Sequence, residues 1–332
     1  MISSELIRQL ELDAASHPRQ QAHISAASGL VIAGDWFYIV ADDENHLAAL
    51  RRSEANSGAL RMLCLVEGEL PVDPAARKRQ KRDLEALFHL PGDGKRTPML
   101  IAWGSGSRPQ RDFAYAVELG AQGNLAGSVR TIALASLHGA MRSHVEELNI
   151  EAGFVQGDGL WLFSRANAGA PVNGCFRIDL AQAMDFLLGG EGSGVVPELD
   201  FSPLDMGRIG GVPLGITDAT PLAEGGWLFS AVAENASNAY DDGQCEGTVL
   251  GVCDPDGKVA WMDRLEGGFK AEGIALDERG VLWLTTDADD PGVPSQLRCL
   301  DWPPAELRPE TDQPGSSSEN VSVSSSKAKY SA

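Results

Sequence analysis

The chain has 332 residues, 43% of them hydrophobic, and carries 47 acidic against 27 basic residues for a formal net charge of −20. That is enough apolar material for a substantial core, and a surface that repels nucleic acid and anionic membranes while favouring cations. No apolar run approaches the ~20 residues of a membrane span, and the opening MISSELIRQLELDAAS lacks the basic start and apolar stretch of a secretory signal, so a cytoplasmic location is expected.

The first strand-like segment, Glu5–Leu12, has no partner nearby in sequence. A small-residue stretch then leads from Ser28 into the aromatic run Trp36–Val40, the polar loop ADDENH, and strands at His46–Arg51 and Leu60–Val66. The same order recurs four times. Asp83–Ala86 leads to Met99–Trp103, the loop GSGSRPQR, Asp112–Leu119 and Ser128–Ala133. Asn149–Ala152 leads to Leu160–Phe163, SRANAGAPVN, Gly174–Leu180 and the region Pro197–Leu204. Ile216–Ala219 leads to Trp227–Phe229, AENASNAYDDGQ, Gly247–Cys253 and Val259–Leu265. Ala271–Ile274 leads to Val281–Leu284, TDADDPGVPS and Gln296–Trp302, with no fourth strand before Pro303-Pro304. Apolar runs of this length bounded by turn residues read as buried strands.

Five such units predict an all-β fold, a five-bladed β-propeller spanning 1–302. The segment Glu5–Leu12 supplies the outer strand that the last blade lacks, closing the ring and removing an exposed sheet edge. Residues 137–150 and 181–190 resist the pattern, and a degenerate sixth blade is the alternative. Residues 303–332 are Ser- and Pro-rich and read as a disordered tail. The five cysteines show no C-x-x-C spacing and read as buried free thiols.

Measured from Ser28 through Glu85, Glu151, Asp218 and Glu272, the repeat steps are 57, 66, 67 and 54 residues. Equivalent positions in radial blades converge on one axis, so these four acids gather at one end of the channel. Such a cluster repels itself and raises pKa values unless a cation neutralises it. Oxygen ligands of this kind suit Ca²⁺ or Mg²⁺, and the candidate metal set is Glu85, Glu151, Asp218, Glu272 and Asp287. The same four repeat acids are candidate catalytic groups. The bland alternative is that each only accepts hydrogen bonds from backbone amides. The blade loops add Arg108, Arg111, Arg165, Asn167 and Glu234 as substrate-binding candidates, with Asp42, Asp43, His46, Asp289, Asp290 and Asn235 nearby in the pattern. GSGS around Ser105 and Ser107 lacks a histidine partner for a hydrolase triad, and the histidines have no zinc spacing. No organic cofactor is expected.

The ordered segments RDLEAL…WGSGSRPQR, LNIEAG…LWLFSRAN, GITDA…AVAEN and KAEGIAL…TTDADDPGVPSQL resemble a group of bacterial β-propeller proteins of unknown function, related to the phytase-like (esterase-like) propeller families. The resemblance spans roughly residues 25–302 and implies a propeller with a polar face bearing Glu, Asp and Arg; it carries no established reaction. The expectation is a divalent-cation-dependent hydrolase of a small phosphate or carboxylic ester or a lactone. The alternatives are a non-enzymatic propeller that binds a small-molecule, peptide or protein ligand, and glycoside cleavage by paired carboxylates.

Overall fold

A computed structural model describes residues 1–189, 194–236, 243–304 and 307. The chain is a five-bladed β-propeller. Strand β1 (Glu5–Gln9) is set aside for ring closure. Blade 1 is β2 (Ala27–Ala33), β3 (Trp36–Ala41), β4 (His46–Arg51) and β5 (Arg61–Cys64). Blade 2 is β6 (Leu84–Leu90), β7 (Met99–Gly104), β8 (Phe113–Leu119) and β9 (Leu125–Ala133). Blade 3 is β10 (Ile150–Gln156), β11 (Gly159–Ser164), β12 (Asn173–Asp179) and β13 (Asp200–Leu204). In blade 4 a two-residue strand β14 (Arg208–Ile209) pairs with β15 (Val212–Pro221), ahead of β16 (Trp227–Glu234), β17 (Cys245–Cys253) and β18 (Val259–Arg264). Blade 5 is β19 (Lys270–Leu276), β20 (Val281–Asp287) and β21 (Gln296–Asp301), completed by β1. The closure expected from the unpartnered N-terminal segment is present, with Glu5 opposite Cys299 and Gln9 opposite Gln296.

There is no sixth blade among the described residues. The segments that resisted the strand pattern hold α2 (Ala135–Met141) and α3 (Leu180–Leu188), while α1 (Pro74–Gln80) was not anticipated. Leu137 and Met141 of α2 and Ala183, Met184 and Leu187 of α3 enter the core between blades 2 and 3. Helix α3 starts where the Asp179 carboxylate accepts the Gln182 amide at 3.0 Å, an N-cap that satisfies a donor otherwise orphaned. Helix α1 starts on Asp73, which accepts the Ala76 amide at 2.8 Å, with Pro74 in the first turn.

The hydrophobic core is divided radially. Each pair of neighbouring blades encloses its own cluster, for example Phe37 against Trp283 between blades 1 and 5, with ring centroids 4.7 Å apart. Phe163 lies against Trp227 between blades 3 and 4 at 5.6 Å. The large side chains stand between sheets because alternate residues of each strand face alternate neighbours. The cysteines are free thiols, but only Cys175 and Cys253 are buried; Cys245 and Cys299 are half-buried and Cys64 is exposed, since β5 is the outer edge of its blade.

The innermost strands set up the site. Every one of them is irregular at the same level: pairing to the second strand slips between Ala27 and Leu30, Leu84 and Ala86, Ile150 and Ala152, Ile216 and Asp218, and Ala271 and Ile274. These are β-bulges, where an extra residue is released from the ladder and re-aimed. The released positions include Ser28, Glu85, Glu151, Thr217 and Glu272. Around Ser28 neighbouring inner strands approach so closely that a Cβ on Gly29 would lie 2.8 Å from the Glu85 carbonyl oxygen and from the Leu87 nitrogen. A Cβ on Gly273 would lie 2.5 Å from the Ser28 carbonyl oxygen. Only glycine fits there.

Candidate functional site

The bulges open onto a cavity of about 200 Å³ at one end of the channel, and Ser28, Glu85, Glu151 and Glu272 all line it. The fourth blade breaks the expected set. Its released residue is Thr217, so the repeat alignment that placed Asp218 beside the other acids is off by one, and a one-residue slip turns a side chain to the opposite face. Thr217 donates to the Ala271 carbonyl at 2.8 Å and also bonds Ser230 at 2.8 Å. Asp218 does not line the cavity. Its carboxylate accepts the Ile274 amide at 2.7 Å and the Ala219 amide at 2.8 Å. Burial raises its pKa well above the usual range, with these amides and that of Leu30 opposing the shift. Asp218 therefore ties inner strands together, the bland role foreseen for a repeat acid.

The remaining candidates separate similarly. Arg111, Arg165, Asn167, Glu234 and Asp287 line the cavity, whereas Arg108 is exposed at the start of a short turn outside it. Asn167 is spent on local structure. Its side-chain oxygen accepts the Gly169 and Ala170 amides, each at 2.8 Å, and its amide nitrogen donates to Glu147 at 2.9 Å.

Two buried charge clusters form the walls. On the blade 1–2 side the Lys81 ammonium bridges Asp42 and Asp83, 2.8 Å from the latter. Asp83 also accepts from Arg111 at 2.5 Å and from the Ser105 hydroxyl at 2.5 Å. Although burial opposes ionisation, Lys81 and Arg111 hold the Asp83 carboxyl below its ordinary range. One oxygen each from Asp42, Asp83 and Glu85 lie within 4.8 Å of one another, so this trio could hold a metal ion. Glu85 differs from its neighbours because it makes no hydrogen bond or ion pair among the described residues. Burial, reinforced by Glu151, Asp83 and Asp42, pushes its carboxyl well above the usual value.

The opposite wall, from blades 3, 4 and 5, is organised by Arg165 and Lys270. Arg165 lies 2.5 Å from Glu234, 3.5 Å from Glu151 and 3.8 Å from Glu272. Lys270 lies 3.0 Å from Asp289, 3.2 Å from Glu272, 3.4 Å from Glu234 and 3.7 Å from Asp287. Against the burial that would raise it, Arg165, Lys270 and the Gly243 amide draw Glu234 down to about 2. Glu151 goes the other way, to about 8, because burial and the charge of Glu272 outweigh Arg165. Its other oxygen accepts from the Asn149 side chain at 2.5 Å. Burial likewise raises Glu272 and Asp287. Two carboxyls on one arginine with pKa values this far apart are equipped for different tasks. The five residues expected to share a metal therefore do not meet at one point: Glu85 stands with Asp42 and Asp83, Glu151 and Glu272 with Arg165, and Asp287 with Lys270.

Sequence reasoning missed Lys81, Lys270, Asp83 and Arg77 as site residues. A signal for two of them was available. Alternate residues of a strand share a face, and two positions before Ser28, Glu85, Glu151 and Glu272 stand Ala26, Asp83, Asn149 and Lys270, all in the lining.

Fold and site together define a five-bladed propeller with a charged, mostly acidic cavity at one end of its channel. The chain belongs to a family of unknown function (DUF6929), which it matches over residues 23–301. No curated protein matches it. Solved structures similar to it include a luciferin-regenerating enzyme (11% identity, 84% of this chain and 92% of that chain covered, TM-score 0.44). Others are a glutaminyl cyclase of Myxococcus xanthus (13%, 90% and 96%, TM-score 0.46) and a putative glycoside hydrolase of Parabacteroides distasonis (8%, 90% and 93%, TM-score 0.46). At these identities and TM-scores the likenesses carry no chemistry. No helix of the described residues is long and apolar enough to cross a membrane.

Proposed function

We propose that the protein is a divalent-cation-assisted hydrolase acting on a small ester or lactone at this cavity, with a small-molecule or peptide substrate and a cytoplasmic site of action. The observation that carries the reading is Glu85: a carboxyl with no hydrogen bond or ion pair among the described residues, beside two more carboxylates and opening onto a cavity that also holds the high-pKa Glu151. The oxygens of Asp42, Asp83 and Glu85 have the span expected of ligands ~2.4 Å from a common hard cation. Lys81 occupies two of those carboxylates, so a cation held there would have to displace its ammonium. A bound divalent ion would polarise the scissile oxygen and lower the pKa of water.

Glu151 supplies the proton. With a pKa of about 8 it is protonated at neutral pH, and it donates that proton to the leaving oxygen as the ester bond breaks. Attacking water contributes its hydroxyl to the acyl group, and its remaining proton restores Glu151. Arg165 orients Glu151, and the ionised Glu234 holds Arg165 in place.

The test is to strip the full-length protein with EDTA, reload Ca²⁺, Mg²⁺ or Mn²⁺, and follow melting temperature and hydrolysis of p-nitrophenyl acetate, p-nitrophenyl phosphate and γ-butyrolactone. The expected result is an ion-dependent rise in melting temperature and ion-dependent turnover, reduced on the order of 100-fold in Glu151→Gln. Unchanged melting with every ion and no turnover of any substrate would overturn it in favour of a ligand-binding propeller.

A further inference from the structure

We propose that the cavity recognises a ligand through an N–H-bearing cation, a primary ammonium or guanidinium group, seated on Glu272 at the blade 5 wall. The inference deepens the hydrolase reading by naming the substrate class: an ester or lactone whose remainder carries such a group, rather than a phosphate.

Three observations carry it. Among the described residues the lining holds ten carboxyl side chains against six cationic ones. The cations already have partners: Lys81 on Asp42 and Asp83, Lys270 on four carboxylates, Arg165 on three. Arg77 meets Asp43 at 3.1 Å and the carbonyls of Pro71 and Val72. The donors of Lys81, Lys270, Arg165 and Arg77 are thus largely spent within the protein.

The acceptors are not. The Glu272 side chain is 4% exposed and lines the cavity, yet its Oε1 accepts no hydrogen bond among the described residues. Lys270 and Arg165 lie 3.2 and 3.8 Å from that oxygen, near enough for attraction without the alignment of a hydrogen bond. Asp43 Oδ1 is also buried without a donor. A buried acceptor left unfilled costs ~1–3 kcal/mol, and a ligand N–H removes that cost. An anionic ligand would deepen the repulsion that, with burial, already raises Glu151 and Glu272, whereas a cation relieves it.

The chemistry of the cation follows from what the lining lacks. Among the described residues it contains no Phe, Tyr or Trp, so they form no aromatic cage of the kind that receives methylated ammonium. Recognition of a cation then runs through hydrogen bonds to carboxylates, which a protonated amine or guanidinium can donate and a quaternary ammonium cannot.

Isothermal titration of the full-length protein in EDTA and 150 mM salt tests this without any need for turnover. The probes are agmatine and 1,4-diaminobutane, with 1,4-butanediol, tetramethylammonium and glycerol 3-phosphate as neutral, N–H-free and anionic controls. The expected result is saturable binding of one or both amines and none of the controls, with Glu272→Gln weakening it at least tenfold. If that variant fails to fold, Asp289→Asn, at the rim beside Lys270, is expected to weaken binding severalfold. Tetramethylammonium binding as tightly as the amines would reduce the site to an undirected negative field and overturn the proposal. So would tighter binding of glycerol 3-phosphate, or amine affinity unchanged in a folded Glu272→Gln variant, or no amine binding at millimolar concentration. Amine binding without ion-dependent turnover sinks only the hydrolase, and turnover without amine binding sinks only the substrate class.

Discussion

Glu151→Gln should stabilise the protein while removing its chemistry. In the folded chain the Glu151 carboxyl titrates near 8, against 4.5 for an ordinary glutamate. Between those values the unfolded chain has released the proton and the folded chain keeps it, so wild-type stability falls as pH rises through that window. Each unit is worth ~1.4 kcal/mol, so a window of about 3.5 units amounts to a loss of up to about 5 kcal/mol by pH 8. Glutamine has nothing to ionise, and its side-chain oxygen can still accept from the Asn149 amide as Glu151 does. Guanidinium unfolding of both proteins from pH 4.5 to 8.5 should show curves that start together and diverge, the variant gaining steadily and levelling off above pH 8. A constant offset across that range, or a wild type more stable at pH 8, would refute the claim that Glu151 is held neutral. Wild-type turnover should hold across most of that range and fall only as pH rises through about 8 and the proton donor is lost.

Glu234→Gln should do the reverse. Glu234 is depressed from 4.5 to about 2 and its side chain is 10% exposed, so its removal costs about 3 kcal/mol at neutral pH by the same conversion. That contribution is fully present above about pH 4.5 and disappears as pH falls toward 2, so acid unfolding curves of variant and wild type should converge. Asp218→Ala leaves the Ile274 and Ala219 amides without their acceptor. A loss of ~1–3 kcal/mol per buried group is expected by denaturant titration, with cation binding retained. Gly29→Ala forces a Cβ to 2.8 Å from the Glu85 carbonyl, and overpacking of ~1–3 kcal/mol should appear as a lower melting temperature.

Most of the architecture was legible because its signals are local. Gly-bounded aromatic runs marked the second strands, and the missing partner of Val281–Leu284 and Gln296–Trp302 pointed across the whole chain to Glu5–Leu12. The helices α2 and α3 were visible only as departures from alternation, because their apolar residues serve the same core as the strands beside them. The site was legible to the level of a place and a charge. Asp218 was misplaced because IEAG and ITDA align equally well by eye, and only the pairing of Ile216 with Ala231 and Asp218 with Ser230 shows that Thr217 is the released residue. Lys270 could have been found from its place two positions before Glu272, but Lys81 was missed for a different reason. A lysine next to a strand reads as solvated until the converging acids that neutralise it are known to be within 3–4 Å, and no spacing rule supplies that. The same convergence explains why Arg165, rightly sought at the mouth, carries no surplus charge for an anion.

The pairing of β1 with β21 also sets an order of events. Glu5–Gln9 leaves the ribosome before the rest of the ring but meets Gln296–Cys299 only after blades 1 to 4 have been made. Until then β21 is an open sheet edge, able to pair with a neighbouring nascent chain. The clasp is also the most non-local contact in the ring, which places it late in folding. Lys270, Glu272 and Asp287 belong to the blade that this clasp completes. A chain nicked near its start would thus keep blades 2, 3 and 4 and lose the Glu272 wall first, so ligand affinity would report an open ring before bulk secondary structure did.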